Sequence, residues 1–165
     1  MKIIALKGGE NSGKSKTLRI VYSLFKELGG NPITGHFKYL KGNSKDFRDV
    51  LNLEGKIIGI VTQGDYGKKL IKPGCDVETM TAFSVGEHLE ALDKADCDVA
   101  ICAWTDKEKN VEKQIEKDIK KYPTYEIVTK TKIESKDVIL QLEDNTHKAM
   151  EIIKILNGWL SNATE

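Results

Sequence analysis

The sequence predicts an α/β protein, a three-layer sandwich in which helices cover both faces of a mostly parallel sheet. Two observations predict it. Short apolar runs rich in β-branched residues occur at residues 2–6 (KIIAL), 57–61 and 99–103. Segments with apolar residues every three or four positions alternate with them along the chain, and that alternation is the signature of parallel strands joined by helices. With 165 residues and no linker, repeat or low-complexity tract, one domain is expected to span 1–165.

The elements follow in order. Residues 2–6 read as a buried strand. From Lys14, the residues Leu18, Val21, Tyr22, Phe25 and Leu28 share one helical face, and Gly29-Gly30 stop that helix. Asn31-Pro32 reads as a turn, and residues 33–40 as a second strand. Residues 47–65 read as a β-hairpin turning at Glu54-Gly55, with an antiparallel strand at the sheet edge. The alternation of Phe47, Asp49 and Leu51 against Arg48, Val50 and Asn52 is imperfect. Ser84 and Glu87 have capping-box spacing before a helix carrying Leu89 and Leu92. Residues 99–103 form the next buried strand, 108–121 a lysine- and glutamate-rich helix with Val111, Ile115 and Ile119 as its apolar stripe, and 125–131 a further strand. Residues 138–142 read as one more strand. A last helix from about Asn145 presents Ala149, Ile152, Ile153, Leu156 and Leu160 on one face.

A formal charge of +1 gives no global attraction to nucleic acid or anionic membrane. Nucleic-acid binding is not indicated by any motif. No apolar run reaches membrane-spanning length, and the first residues hold too short an apolar stretch for a signal peptide, so a cytoplasmic protein is expected. Cys75, Cys97 and Cys102 lack metal-ligand spacing and read as small buried residues in a reducing compartment. His36, His88 and His147 form no metal set.

The stretch directly after the first strand carries the chemistry. Gly8-Gly9-Glu10-Asn11-Ser12-Gly13-Lys14-Ser15 fits G-x-x-x-x-G-K-[ST] between a strand and a helix. Backbone N–H groups that turn inward around phosphate oxygens need tight positions free of Cβ atoms. The helix beginning near Gly13 aims its free N–H groups and positive dipole end at the same anion. On this reading Gly8 through Lys16 bind the phosphates, Lys14 reaches the β- and γ-phosphates, and the Ser15 hydroxyl ligates Mg²⁺.

With these residues the chain resembles the P-loop NTPase superfamily, and in size the small nucleotide and metabolite kinases. The specific match covers residues 2–28. The resemblance implies a P-loop NTPase fold and a nucleoside triphosphate with Mg²⁺ at the carboxyl ends of the strands. It also implies an ATPase or a kinase-like phosphotransferase acting on an unknown phosphate acceptor. The strand pair followed by Thr62-Gln63-Gly64-Asp65 is similar to the pair preceding the D-x-x-G switch of GTPases. However, Thr62 stands where that aspartate would be, and no N-K-x-D guanine-reading motif occurs, so ATP is favoured over GTP.

A site of this kind needs a partner acid. Asp65, at the end of a strong strand, is the first candidate for both metal holding and catalysis; Gln63 could position a water, and Asp106 is a weaker alternative. Asp46 and Arg48 could accept a proton and hold an anion, against the plainer expectation of a solvated ion pair. Lys107, Lys109, Lys113, Lys117, Lys120 and Lys121 could form a lid, but interleaved acids favour a solvated helix. Trp104 could stack on a base, and burial is the stronger expectation. Lys7 is expected at a strand-end surface. Arg19 reads as structural, leaving Arg48 as the only other arginine; in several related families a homodimer partner supplies the missing one. The second function class is a nucleotide-dependent switch or binding module that acts on a protein or nucleic-acid partner with little turnover.

Overall fold

The computed structural model describes residues 1–40, 46–64, 84–106 and 109–161. In chain order they form β1 (Lys2–Gly8), α1 (Lys14–Glu27), β2 (Asn31–Pro32), β3 (Lys38–Tyr39), β4 (Phe47–Leu53), β5 (Lys56–Val61), α2 (Val85–Asp93), β6 (Val99–Thr105), α3 (Lys109–Ile119), β7 (Tyr125–Thr129) and α4 (Val138–Ser161).

One seven-stranded sheet runs in the order β2-β4-β5-β6-β1-β7, with β3 also pairing β4. Strands β5, β6, β1 and β7 are parallel; β4 is antiparallel to β5, and β2 and β3 are antiparallel to β4. The sheet is therefore mixed, where the sequence suggested a mostly parallel one. The reason is the tight turn Glu54-Gly55, whose residues both have positive φ (53° and 82°) and fold β4 straight back on β5. Nor is β4 the edge. Asn31-Pro32, read as a turn, and Lys38–Tyr39 pair along its outer side, so residues 33–40 hold only a two-residue strand.

Strand β1 alternates between two cores. Ile4 and Leu6 face Leu18, Val21 and Phe25 of α1 with Ala149, Ile152 and Leu156 of α4. Ile3 and Ala5 face Val85, Leu89 and Leu92 of α2 with Ile115 and Ile119 of α3. These are the two helical layers, and burial of these side chains is what holds them on the sheet. Helix α1 ends as its glycines suggest: Gly30 N–H donates to Phe25 O (2.8 Å) and Gly29 N–H to Lys26 O (3.2 Å). Leu28 falls on this cap and is exposed, outside the buried face expected for it. The capping box of α2 is complete: Ser84 Oγ accepts from Glu87 N, and Glu87 Oε2 accepts from Ser84 N.

One element differs in kind. Residues 138–142, read as a strand, are the first turn of α4. Asp137 caps that turn, its Oδ1 accepting from Ile139 N (2.8 Å). Val138, Ile139, Leu140 and Leu142 are exposed, so the apolar run reflects no buried strand. Among the described residues no helix is long and apolar enough to cross a membrane.

The connections fix where a ligand fits. After β1 the chain crosses to the α1 layer; after the neighbouring β6 it crosses to the α3 layer. Such a divergence opens a crevice at the carboxyl ends of the two strands. Gly8 and Thr105 pair there in register.

Candidate functional site at the carboxyl ends of β1 and β6

The loop between β1 and α1 is shaped by two left-handed residues, Asn11 (φ 55°) and Gly13 (φ 90°). Left-handed residues alternating with right-handed ones turn successive N–H groups to one side. Gly8 is required by close approach: a Cβ there would lie 2.4 Å from the Lys130 carbonyl oxygen. At Gly13 a Cβ would lie 2.6 Å from Asn145 Oδ1, which also accepts from the Thr17 hydroxyl (3.2 Å). Helix α1 begins directly after this loop with no side-chain cap and no acid in its first turn. Its first N–H groups thus keep their donor capacity for something outside the helix.

Lys14 is 7% exposed, and its ammonium donates to the carbonyls of Gly8 (3.0 Å) and Gly9 (2.6 Å). The Ser15 hydroxyl donates to the Thr62 carbonyl (3.1 Å) at the end of β5. Asp46, immediately before β4, is 2% exposed and accepts from the Thr62 hydroxyl (2.9 Å). Among the described residues this carboxylate has no ion-pair partner.

A cavity of about 520 Å³ opens over this loop. Asn11 through Lys16 line it, whereas Gly8 and Gly9 serve as the carbonyl seats of Lys14 and Glu10 is exposed away from the wall. Among the described residues the wall carries six cations, Lys14, Lys16, Arg19, Lys130, Lys132 and Lys136, against three carboxylates, Asp46, Glu134 and Asp144. In a chain of net charge +1 this excess gives the cavity a local positive charge of the kind that attracts anions. Lys130 is buried, pairs with Asp144 of α4, and donates its backbone N–H to Lys7 O (2.7 Å).

The lysines of the β7–α4 connection escaped the sequence reading. Their signal was the alternation Lys130-Thr131-Lys132 directly after a strand, at the sheet end where the glycine loop also lies. Arg19, read as structural, is on the cavity wall. Asp46 and Arg48 do not form the solvated ion pair expected of them, because strand alternation and the Thr62 hydroxyl take them to different partners. Arg48 Nη1 instead meets the ring of His88 (3.3 Å). Asp65 lies outside the described residues, as do Cys75 and Lys107. Gln63 is buried, with Oε1 3.4 Å from His88 Nε2. Asp106 is exposed and ties β6 to β1 through its backbone N–H to Gly8 O (2.9 Å).

Three other candidates resolve as structural. Trp104 is buried in the α2–α3 core. Lys7 is not a free surface lysine: it lies over the Trp104 ring, 4.5 Å from its centroid, and pairs with Glu112 of α3. Helix α3 contributes nothing to the cavity wall among the described residues, and Lys120 and Lys121 pair with Glu116 and Asp118. Cys97 and Cys102 are buried free thiols, and burial pushes both up to about 12. Among the described residues no group of three or more His, Cys, Asp or Glu side chains is placed to hold a metal ion.

Compared with protein-family models, curated proteins and solved structures, the chain gives no significant match.

Proposed function

We propose that the loop Gly8–Ser15 binds the phosphates of a nucleoside triphosphate, ATP in preference to GTP, and that the chain is a Mg²⁺-dependent ATPase or kinase-like phosphotransferase. The observation that carries this reading is the uncapped start of α1, set behind a loop with two left-handed residues, under a cavity whose wall is rich in cations. Lys14 is bonded to two loop carbonyls and is placed to exchange them for phosphate oxygens.

The donor set fits Mg²⁺, a hard ion that takes oxygen ligands. The Ser15 hydroxyl and the Asp46 carboxylate, both bonded to Thr62, would hold it, Asp46 through water. When bound, the ion supplies neutralisation of charge on the phosphates. The chain's own residues do the rest by position. The N–H groups at the start of α1 orient the phosphates, and Lys14, Lys16 and Arg19 offset charge as it redistributes. Asp46 is the acid that the described site offers, and Asp65 lies outside the described residues.

The second reading, a nucleotide-dependent switch, is favoured by one observation: Arg19 is the only arginine on the described cavity wall. Calorimetric titration of a non-hydrolysable ATP analogue with and without Mg²⁺, on wild type and Lys14→Ala, tests the shared core of both. Mg²⁺-dependent binding lost in the variant is expected. Failure of ATP and GTP analogues to bind the wild type would overturn both readings.

A further inference from the structure

We propose that the cleft between strands β3–β4 and helix α2 is a second anion-binding site, for a small oxyanion such as a phosphomonoester or a dicarboxylate. The proposal stands independently of the nucleotide reading. A cavity of about 270 Å³ opens there, separate in its lining from the one over the glycine loop. His36, Lys38, Arg48 and Lys94 line it, and among the described residues no acidic one does. None of Lys38, Arg48 and Lys94 forms an ion pair among the described residues. With 26 Lys and Arg against 25 Asp and Glu in the chain, such a one-signed gathering departs from the average surface.

Lys94 suits the C-terminal end of α2 for its own sake. Arg48 has no such account. It is half-buried, its pKa is lowered by burial, and its described partner is a neutral ring. A cation withdrawn from water without a counter-charge costs free energy, and an anion in the cleft offsets that cost. A guanidinium also carries more donors than the one His88 uses, in a fork that matches phosphate and carboxylate oxygens.

His88 and Gln63 lie between the cleft and the glycine-loop cavity. His88 is fully buried and neutral, its pKa pushed down to about 3 by burial and by Arg48. Arg48 can only donate, so His88 Nδ1 accepts. The ring proton must then sit on Nε2, facing Gln63 Oε1. Gln63 lies between Thr62 and Gly64, both on the wall of the first cavity.

The test is a titration of the isotope-labelled full chain with inorganic phosphate, and separately with succinate, followed by NMR at constant ionic strength. Saturable shifts at His36, Lys38 and Lys94 are expected with at least one of the two anions, and the stronger one names the ligand class. Lys38 and Lys94 are both exposed, so the double variant Lys38→Gln/Lys94→Gln keeps the fold. It should weaken cleft binding about fivefold or more while leaving any shifts at Gly8–Ser15 in place. Arg48→Gln, which keeps a donor for His88, should abolish saturation in the cleft. Linear, non-saturating shifts with both anions, or unchanged affinity in the double variant, would overturn the proposal.

Discussion

Thr62 joins Ser15 to Asp46: its carbonyl accepts from the Ser15 hydroxyl at 3.1 Å, and its own hydroxyl donates to Asp46 Oδ1 at 2.9 Å. The same hydroxyl oxygen accepts from Phe47 N–H at 2.9 Å. One threonine at the end of β5 thus fixes the start of β4 and brings the only buried carboxylate of the described cavity wall beside the first turn of α1. A carboxylate held, among the described residues, by a single neutral donor adds little to the stability of the fold and keeps an acceptor ready.

The first prediction separates those roles. Asp46→Asn preserves shape and still accepts from Thr62, so stability should change little. If Asp46 holds the ion, turnover of ATP should fall about 100-fold while analogue binding without Mg²⁺ stays the same. Phosphate-release assays beside calorimetry read both. Unimpaired turnover in Asp46→Asn would remove this residue from the reaction.

Two adjacent glycines should behave differently. A Cβ at Gly8 meets the backbone carbonyl of Lys130, which cannot yield as a flexible side chain can; a Cβ at Gly9 meets nothing within 4 Å. Gly8→Ala should cost about 1–3 kcal/mol and lower the melting temperature by several degrees. Gly9→Ala should melt within about a degree of wild type, since open surface substitutions cost little. Equal melting of the two variants would show that Lys130 does not close on β1 as described.

The Lys130–Asp144 pair, buried at its lysine and partly exposed at its carboxylate, gives a third test. Lys130 is 2% exposed and reaches Asp144 from the β7–α4 connection. Removing the carboxylate leaves an ammonium buried beside the glycine loop without its partner. Asp144→Ala should therefore destabilise the protein by about 1–3 kcal/mol in thermal melts, since the carboxylate is partly solvated. Bound nucleotide should restore part of the loss, because its phosphates supply the missing negative charge. A melting temperature unchanged from wild type in the absence of nucleotide would contradict the pair.

How legible was this in the sequence? The loop and both flanking elements were, because close backbone approach demands glycine at fixed spacing and the face Leu18, Val21, Phe25 repeats at helical period. The imperfect alternation in β4 was a true signal read without its partner: Asp49 is buried, and it accepts from the Tyr22 hydroxyl at 2.7 Å. Satisfaction by a helix 27 residues away leaves no local trace. The same holds for Asp46, Arg48 and His88, whose roles depend on which residue stands across the fold. Residues 138–142 misled for the opposite reason. Their local apolar run outweighed a cap at Asp137 that only the continuation of α4 makes meaningful.

The last prediction concerns pH. His88 has a folded value of about 3 against an ordinary 6.5, lowered first by burial and then by Arg48. Between those values the unfolded chain binds a proton that the folded chain refuses, so stability falls as pH drops below 6.5 and is complete above it. At pH 5 the loss from this one group is about 2 kcal/mol, or roughly 4–8 °C in melting temperature for a chain of this size. His88→Gln removes the titration while keeping a polar side chain between Arg48 and Gln63. Its melting temperature should be lower than wild type at pH 7.5, and the gap should narrow by that amount at pH 5. A gap independent of pH would mean that His88 takes up its proton within the fold, and with it would go the fixed tautomer that links Arg48 to Gln63.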